Sequence, residues 1–296
     1  MLKPKNKILL VGGGGYLGRA VIKCLSSKEL KNVVVYGRSK CKIPGVEEIV
    51  GDVDNLNVLS GVIKNSKTVV YLVTENKSGN PKDHQKANVG GLKNCLELSK
   101  KYGVEKLIYI STTMVFKKDS KLVDETNYEY RQKPSGNLYV DSKTEGVKLL
   151  NNFDGLNKII VYPSVVVNQS FLYKQPVGVI ESIKCRIGLL TQGGVMLRAG
   201  DSNRRISYVF IDQVANLIAQ LIRSDDCETE YLAVSVNTTP KDQIRNSQGK
   251  INYFPISISD WIFKKVFGEL QYDLIHQENH YSNKRMKKML VSSNNS

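Results

Sequence analysis

The sequence predicts an α/β fold, a parallel sheet covered by helices on both faces, with a smaller C-terminal lobe. Three observations carry this. Short apolar runs alternate with helix-like segments through residues 7–161. The first run ends in four consecutive glycines, Gly12 to Gly15, which open a helix. The 296 residues, 41% hydrophobic and 24% charged, have the balance of a chain that buries a large core.

In order, Lys7–Val11 reads as a buried strand, and Tyr16–Ser27, with apolar residues at helical spacing, as the helix after the glycine turn. Val33–Tyr36, Glu47–Val50 and Thr68–Val73 read as the second, third and fourth strands. Val89–Tyr102 reads as a helix and Leu107–Ile110 as a strand. Asp141–Leu150 continues a helix that leads to Ile159–Val161. Runs apolar on both faces suit a parallel sheet buried on both sides. After Tyr162-Pro163 the alternation breaks. Asn168–Gly178 reads as irregular, Val179–Leu190 as helical, and Gly193-Gly194 and Gly200 as turns. Val214–Ile222 is a helix, Cys227–Lys250 strand and loop, and Met286–Leu290 part of a basic terminal helix before a frayed tail, Val291–Ser296. No internal repeat is visible.

Lys and Arg number 43 against 28 Asp and Glu, a formal net charge of +15, and the excess lies mainly in residues 1–150. That half is expected to hold an anion site. Five cysteines, Cys24, Cys41, Cys95, Cys185 and Cys227, are widely spaced with no C-x-x-C pair, which argues against a disulfide framework or zinc knuckle and for a reducing compartment. The apolar run after Lys3, Lys5 and Lys7 is too short for a signal peptide, and no run reaches membrane-span length. The expectation is a soluble cytoplasmic protein.

The glycines satisfy two frames, Gly12-x-x-Gly15-x-x-Gly18 and Gly13-x-Gly15-x-x-Gly18. Between a strand and a helix, missing side chains let backbone approach a pyrophosphate, and free N–H groups at the helix N-terminus meet its charge. The second strand ends in Tyr36-Gly37-Arg38-Ser39-Lys40. An NAD site normally carries an acid there. Arg38 and Lys40 can instead pair with a 2′-phosphate, and Ser39 can donate to it, so NADP(H) is favoured while NAD(H) stays open. Asp52-Val53, after the third strand, is expected near the adenine.

Tyr-x-x-x-Lys puts two side chains on one helix face, where an ammonium can draw a phenol towards phenolate. The pattern occurs at Tyr36/Lys40, Tyr102/Lys106 and Tyr139/Lys143, and only the last has a helical setting.

Gly12-x-x-Gly15-x-x-Gly18, Asp52-Val53, Asn88-Val89-x-Gly91, Ser111-Thr112-x-x-Val115, Tyr139-x-x-x-Lys143 and Val209-x-x-Asp212-x-Val214-Ala215 follow one another in order. With these motifs the chain resembles the extended short-chain dehydrogenase/reductases, the NAD-dependent epimerase/dehydratase family, over nearly its whole length. The resemblance implies a Rossmann-type doubly wound parallel sheet. It assigns residues 1–165 to the NAD(P)-binding domain and 166–296 to a substrate-binding lobe interleaved with the last sheet strands. It implies that Thr112 hydrogen-bonds the reacting oxygen, with Ser111 as a substitute, that Tyr139 exchanges its proton, and that Lys143 holds the nicotinamide ribose and biases Tyr139 towards phenolate. Tyr16, Leu17, Asn88, Ser111, Tyr162 and Pro163 join the glycines as expected cofactor contacts.

Three departures stand out. Tyr71-Leu-Val-Thr74 replaces the usual His-x-Ala-Ala after the fourth strand. Tyr162-Pro163-Ser164 is similar to the Asn-Pro-Ser of the dihydroflavonol-reductase and hydroxysteroid-dehydrogenase-like branch, but Val167-Asn168 lacks the Gly-Pro that follows there. Ile206, with Arg204 and Arg205 before it, stands where nucleotide-sugar epimerases carry Arg.

The function expected is an NADP(H)-dependent oxidoreductase acting on a carbonyl or secondary alcohol. A nucleotide-sugar epimerase or dehydratase is the enzymatic alternative, and a non-catalytic NADP-binding sensor or assembly protein the alternative of another class. The partner is a small-molecule substrate, with a nucleotide sugar one option, and specificity is assigned to Gln169–Arg205. The resemblance leaves a homodimer open. No metal site is expected, since His276 and His280 do not form His-Glu-x-x-His. With only His84 besides these, a Ser-His-Asp hydrolase has little support. Lys284, Arg285, Lys287 and Lys288 read as a solvated helix face rather than a nucleic-acid or membrane surface.

Overall fold

The computed structural model describes residues 6–118, 121–168, 195–199, 206–238, 254–268 and 279–292. Its strands are β1 (Lys7–Val11), β2 (Val33–Gly37), β3 (Glu47–Val50), β4 (Ser66–Tyr71), β5 (Lys106–Ile110), β6 (Leu122–Val123), β7 (Lys158–Pro163), β8 (Val165–Val167), β9 (Val195–Ala199), β10 (Ile206–Phe210), β11 (Glu230–Ala233), β12 (Val236–Thr238), β13 (Phe254–Ile258) and β14 (His280–Tyr281). The helices are α1 (Tyr16–Lys23), α2 (Ser27–Leu30), α3 (Leu56–Ile63), α4 (Pro81–His84), α5 (Gly91–Lys101), α6 (Leu138–Asn151), α7 (Ile211–Arg223), α8 (Asp260–Phe267) and α9 (Lys284–Ser292). A π-helical segment, Gln85–Gly90, links α4 to α5.

Seven strands form one sheet in the order β11-β7-β5-β4-β1-β2-β3, every pairing parallel. This is the doubly wound arrangement expected from the alternation. Successive residues face opposite sides, so each strand feeds two cores. Val11, Val69, Tyr71, Leu107 and Tyr109 pack with Leu59 and Ile63 of α3, Leu92 and Leu96 of α5, and Val147 and Leu150 of α6. Leu10, Val35, Val70, Ile108 and Val161 pack with Val21 and Ile22 of α1, Val214, Ile218 and Leu221 of α7, and Met286 of α9. From β1 the chain winds outward in both directions, through β2 on one side and β4 on the other. The crevice at the carboxyl ends of these strands is where such sheets bind ligands.

The α7 helix and strand β11, both from the second half of the chain, complete the main sheet and one of its helix layers. Beyond Ser164, β8 joins a three-stranded sheet, β12-β10-β8, and β9 pairs with β13 in parallel.

The boundaries differ from the sequence reading in three informative places. The expected helix over Tyr16–Ser27 ends at Lys23, and Ser26 starts the separate α2 through a capping box with Glu29. The helix expected from Val89 begins four residues earlier as the π-helical segment. There the Tyr71 hydroxyl donates to Ala87 O at 2.5 Å, a tertiary insertion into the helical ladder that no local pattern encodes. Val291 and Ser292, expected to fray, belong to α9. The expectations over 169–194, 200–205, 239–250 and 293–296 lie outside the described residues.

Candidate active site

A cleft of about 900 Å³ opens at the carboxyl ends of β1, β2, β4 and β5. Its floor is the turn between β1 and α1. Gly12 has φ +82°, the left-handed region that favours glycine. A Cβ on Gly18 would lie 2.3 Å from Gly13 O, so α1 packs directly on the turn. Gly15 caps α1 without a side-chain acceptor and the first turn holds no acid, which leaves its N–H groups for an anionic ligand. Gly12, Gly15, Tyr16, Leu17 and Gly18 all line the cleft. The Tyr16 hydroxyl is raised above its ordinary range by burial and by Asp212, with Asn168 pulling it back.

Arg38 and Ser39 line the end of the cleft beside β2, exposed, and among the described residues the Arg38 guanidinium makes no hydrogen bond or ion pair. Lys40, the third expected cation, is exposed but does not line the cleft. Asp52 and Val53 do. Asp52 is held by Lys86 (Nζ to Oδ2, 3.0 Å), which also reaches Asp54 at 2.8 Å.

On the far side of the switch point, Ser111 and Thr112 follow β5, and Tyr139 stands in the first turn of α6. All three line the cleft. Asn137 starts α6 at this place, its Oδ1 accepting from Tyr139 N at 3.0 Å and Val140 N at 3.3 Å. Burial pushes the Tyr139 phenol up to about 12, and Thr112 beside it acts the other way. The Ser111 hydroxyl is buried beside the Tyr109 hydroxyl, which it acts to lower, and makes no other hydrogen bond among the described residues.

Lys143 shares the α6 face with Tyr139 but lies behind it, 1% exposed. Its Nζ donates to Ile110 O at 2.9 Å and sits 5.0 Å from the centre of the Tyr109 ring. Burial pulls this amine down to about 7. Contrary to expectation Lys143 does not line the cleft, because Ile110 O takes its amine behind Tyr139; Thr112 is the neighbour that acts to lower the Tyr139 phenol.

Asn88 is fully buried behind the cleft wall. Its Oδ1 accepts from Glu75 N (2.8 Å) and its Nδ2 donates to Glu75 O (2.9 Å) and Ser142 Oγ (2.8 Å), while Ser142 Oγ donates to Tyr139 O (2.9 Å). It positions the wall and α6 rather than facing the cleft. Pro163 lines the cleft. Tyr162 does not: its side chain points into the opposite network, with its hydroxyl 2.8 Å from that of Tyr130 and 2.9 Å from Glu230 Oε1. Alternation along β7 places these neighbours on opposite sides.

Beyond Leu72–Thr74, singled out in the sequence, the cleft takes in Glu75 and Asn76 of the loop after β4, Asp83 of α4 and Lys86 of the π-helical segment, together with Cys41 and Met114, which the sequence did not reveal. This loop has no periodicity, and its shape is set by Asn88 and by the Glu75 carboxylate, which accepts from Lys77 N and Ser78 N. His280 lies in β14, whereas His276 is outside the described residues. The described cysteines, Cys24, Cys41, Cys95 and Cys227, form no disulfide. Among the described residues no helix is long and apolar enough to cross a membrane.

A side-chain-free turn, uncapped helix amides and an Arg38 guanidinium unpaired among the described residues together fit a dinucleotide. The family model for the NAD dependent epimerase/dehydratase family matches residues 8–234. The chain belongs to that family. Its members are NAD(P)-dependent enzymes, and the resemblance read from the motifs is borne out. No curated protein matches the sequence. Among solved structures, similar folds include MoeE5 in complex with UDP-glucuronic acid and NAD (TM-score 0.65, 17% identity, covering 92% of this chain and 97% of that chain). A UDP-glucose 4-epimerase is similar at TM-score 0.64 and 18% identity, covering 92% and 96%. A monomeric L-threonine 3-dehydrogenase from a metagenome, in apo form, is similar at TM-score 0.66 and 14% identity, covering 96% and 98%. At these identities the likeness is one of fold.

Proposed function

We propose that this family member is an NADP(H)-dependent oxidoreductase that reduces a carbonyl or oxidises a secondary alcohol, residues 1–165 carrying the cofactor site and 166–296 the substrate lobe. The observation that carries the reading is the placement of Tyr139 and Thr112 in the same cleft as the glycine turn and the unpaired Arg38. When bound, the nicotinamide supplies hydride chemistry. The α1 amides and glycine turn would hold the pyrophosphate, and Arg38 and Ser39 would meet the 2′-phosphate, with Lys143 supporting the β5 wall through Ile110 O rather than facing the cleft.

A phenol raised to about 12 keeps its proton at neutral pH, so Tyr139 is set to act as an acid towards a substrate oxygen. Thr112, beside it, hydrogen-bonds the same oxygen. In this state the phenol can give its proton to a carbonyl oxygen, the step a reduction requires.

A nucleotide-sugar epimerase or dehydratase is the second reading, supported by the likeness in fold to UDP-glucose 4-epimerase and to MoeE5 with its bound UDP-glucuronic acid. Mass spectrometry of the natively purified protein separates the two. Loosely held NADPH supports the reductase, whereas retained NAD with a nucleotide sugar overturns it in favour of the epimerase. Titration with NADPH and NADH then tests the cofactor, and tighter binding of NADH would overturn the NADP(H) assignment.

A further inference from the structure

We infer that Glu48 and Arg19 are positioning residues for the cofactor's 2′-phosphate: neither lines the cleft, yet together they hold the loop that presents Arg38 and Ser39. The inference rests on the NADP(H) reading above.

The loop between β2 and β3 has no regular secondary structure and turns through Lys42 at φ +53°, a conformation that costs a lysine free energy and persists only when neighbours impose it. Glu48, on β3, supplies the constraint. Its Oε2 accepts from Cys41 N and its Oε1 from Ile43 N, both at 2.5 Å, so one carboxylate grips the backbone on each side of Lys42. These amide bonds hold the Glu48 carboxyl below its ordinary range. Arg19, on α1, fastens the same loop to the glycine turn: Nε donates to Gly14 O at 2.9 Å and a terminal nitrogen donates to Cys41 O at 3.1 Å. The two loops are in direct contact, since a Cβ on Gly14 would fall 2.2 Å from Cys41 Sγ.

The consequence concerns specificity. Arg38 and Ser39 sit immediately before this gripped segment. A loop already shaped when the ligand arrives loses little conformational freedom on binding, and preorganisation of this kind raises affinity without adding a contact. NADH has no 2′-phosphate for Arg38 to meet, so holding the loop favours NADPH selectively. A scaffold role for Glu48 without this effect would weaken both cofactors alike.

The test is equilibrium binding of NADPH and of NADH to the full chain and to Glu48→Ala, Glu48→Gln and Arg19→Met, with hydrogen exchange of the Cys41 and Ile43 amides measured without cofactor. Glu48→Ala should weaken NADPH about tenfold and NADH less than about threefold, Glu48→Gln should lie between wild type and Ala, and Arg19→Met should shift the same ratio. In the wild type both amides should exchange slowly, and in the Glu48 variants quickly. If the wild type prefers NADPH but folded Glu48 variants keep the ratio within about twofold, or lose both cofactors equally, the inference is overturned while the NADP(H) reading stands. Fast exchange of both amides in the wild type overturns it even if Glu48→Ala does not fold. A wild type that prefers NADH overturns the cofactor reading, and this inference with it.

Discussion

Lys143→Met should make the protein more stable near neutral pH. The amine is buried and its charged form disfavoured, pulled down from 10.5 to about 7. At about 1.4 kcal/mol per pH unit, carrying the charge costs the folded state about 5 kcal/mol. Methionine fills a similar volume without that cost but leaves Ile110 O without its 2.9 Å partner, a loss of about 1–3 kcal/mol. A net gain of about 2–4 kcal/mol near pH 7 follows from these two terms.

The pH dependence is sharper than the net value. Below about pH 7 the lysine is charged in both folded and unfolded chains, and the full penalty is present. Between about 7 and 10.5 the unfolded chain binds the extra proton, so the wild type gains stability as pH rises while the Met variant does not. Urea denaturation of both proteins from about pH 6 to 9 should give a stability difference that is flat below 7 and closes by about 1.4 kcal/mol per unit above it. Parallel curves across the whole range would refute the reasoning.

Tyr139→Phe should leave NADPH binding largely intact and lower turnover about 10²-fold or more, measured by steady-state kinetics against single-ligand titration; full activity in the variant would remove Tyr139 from the chemistry. Arg38→Asp should reduce or reverse the preference for NADPH over NADH in paired titrations, and an unchanged preference would place the phosphate elsewhere. Gly18→Ala drives a methyl group into Gly13 O and Cα, at 2.3 and 2.5 Å, and should cost about 1–3 kcal/mol in denaturation and abolish dinucleotide binding. Asn88→Ala strips Glu75 and Ser142 of buried hydrogen bonds and should cost about 2–4 kcal/mol, with catalysis falling further than cofactor affinity because Tyr139 is at the end of that chain.

The sequence alone determined the winding of the sheet and the glycine turn that floors the cleft. Both are encoded locally: apolar runs of strand length, helical periodicity, and glycines where only a side-chain-free backbone fits. Thirteen of the expected contacts, from Gly12 to Pro163, line the cleft because each sits at the carboxyl end of a strand or the first turn of a helix, where position along the element already fixes direction. Tertiary structure decided the rest. Lys143 shares a helix face with Tyr139 as its spacing requires, yet which partner its amine takes depended on Ile110 O and the Tyr109 ring arriving from β5. Tyr162 was carried to the opposite face by strand alternation, and Asn88 behind the wall by hydrogen bonds to Glu75 and Ser142. The loop after β4, and the grip of Glu48 and Arg19 on the loop after β2, join residues distant in sequence through backbone amides and carbonyls. Such bonds leave no periodicity to read, because any residue's backbone can make them.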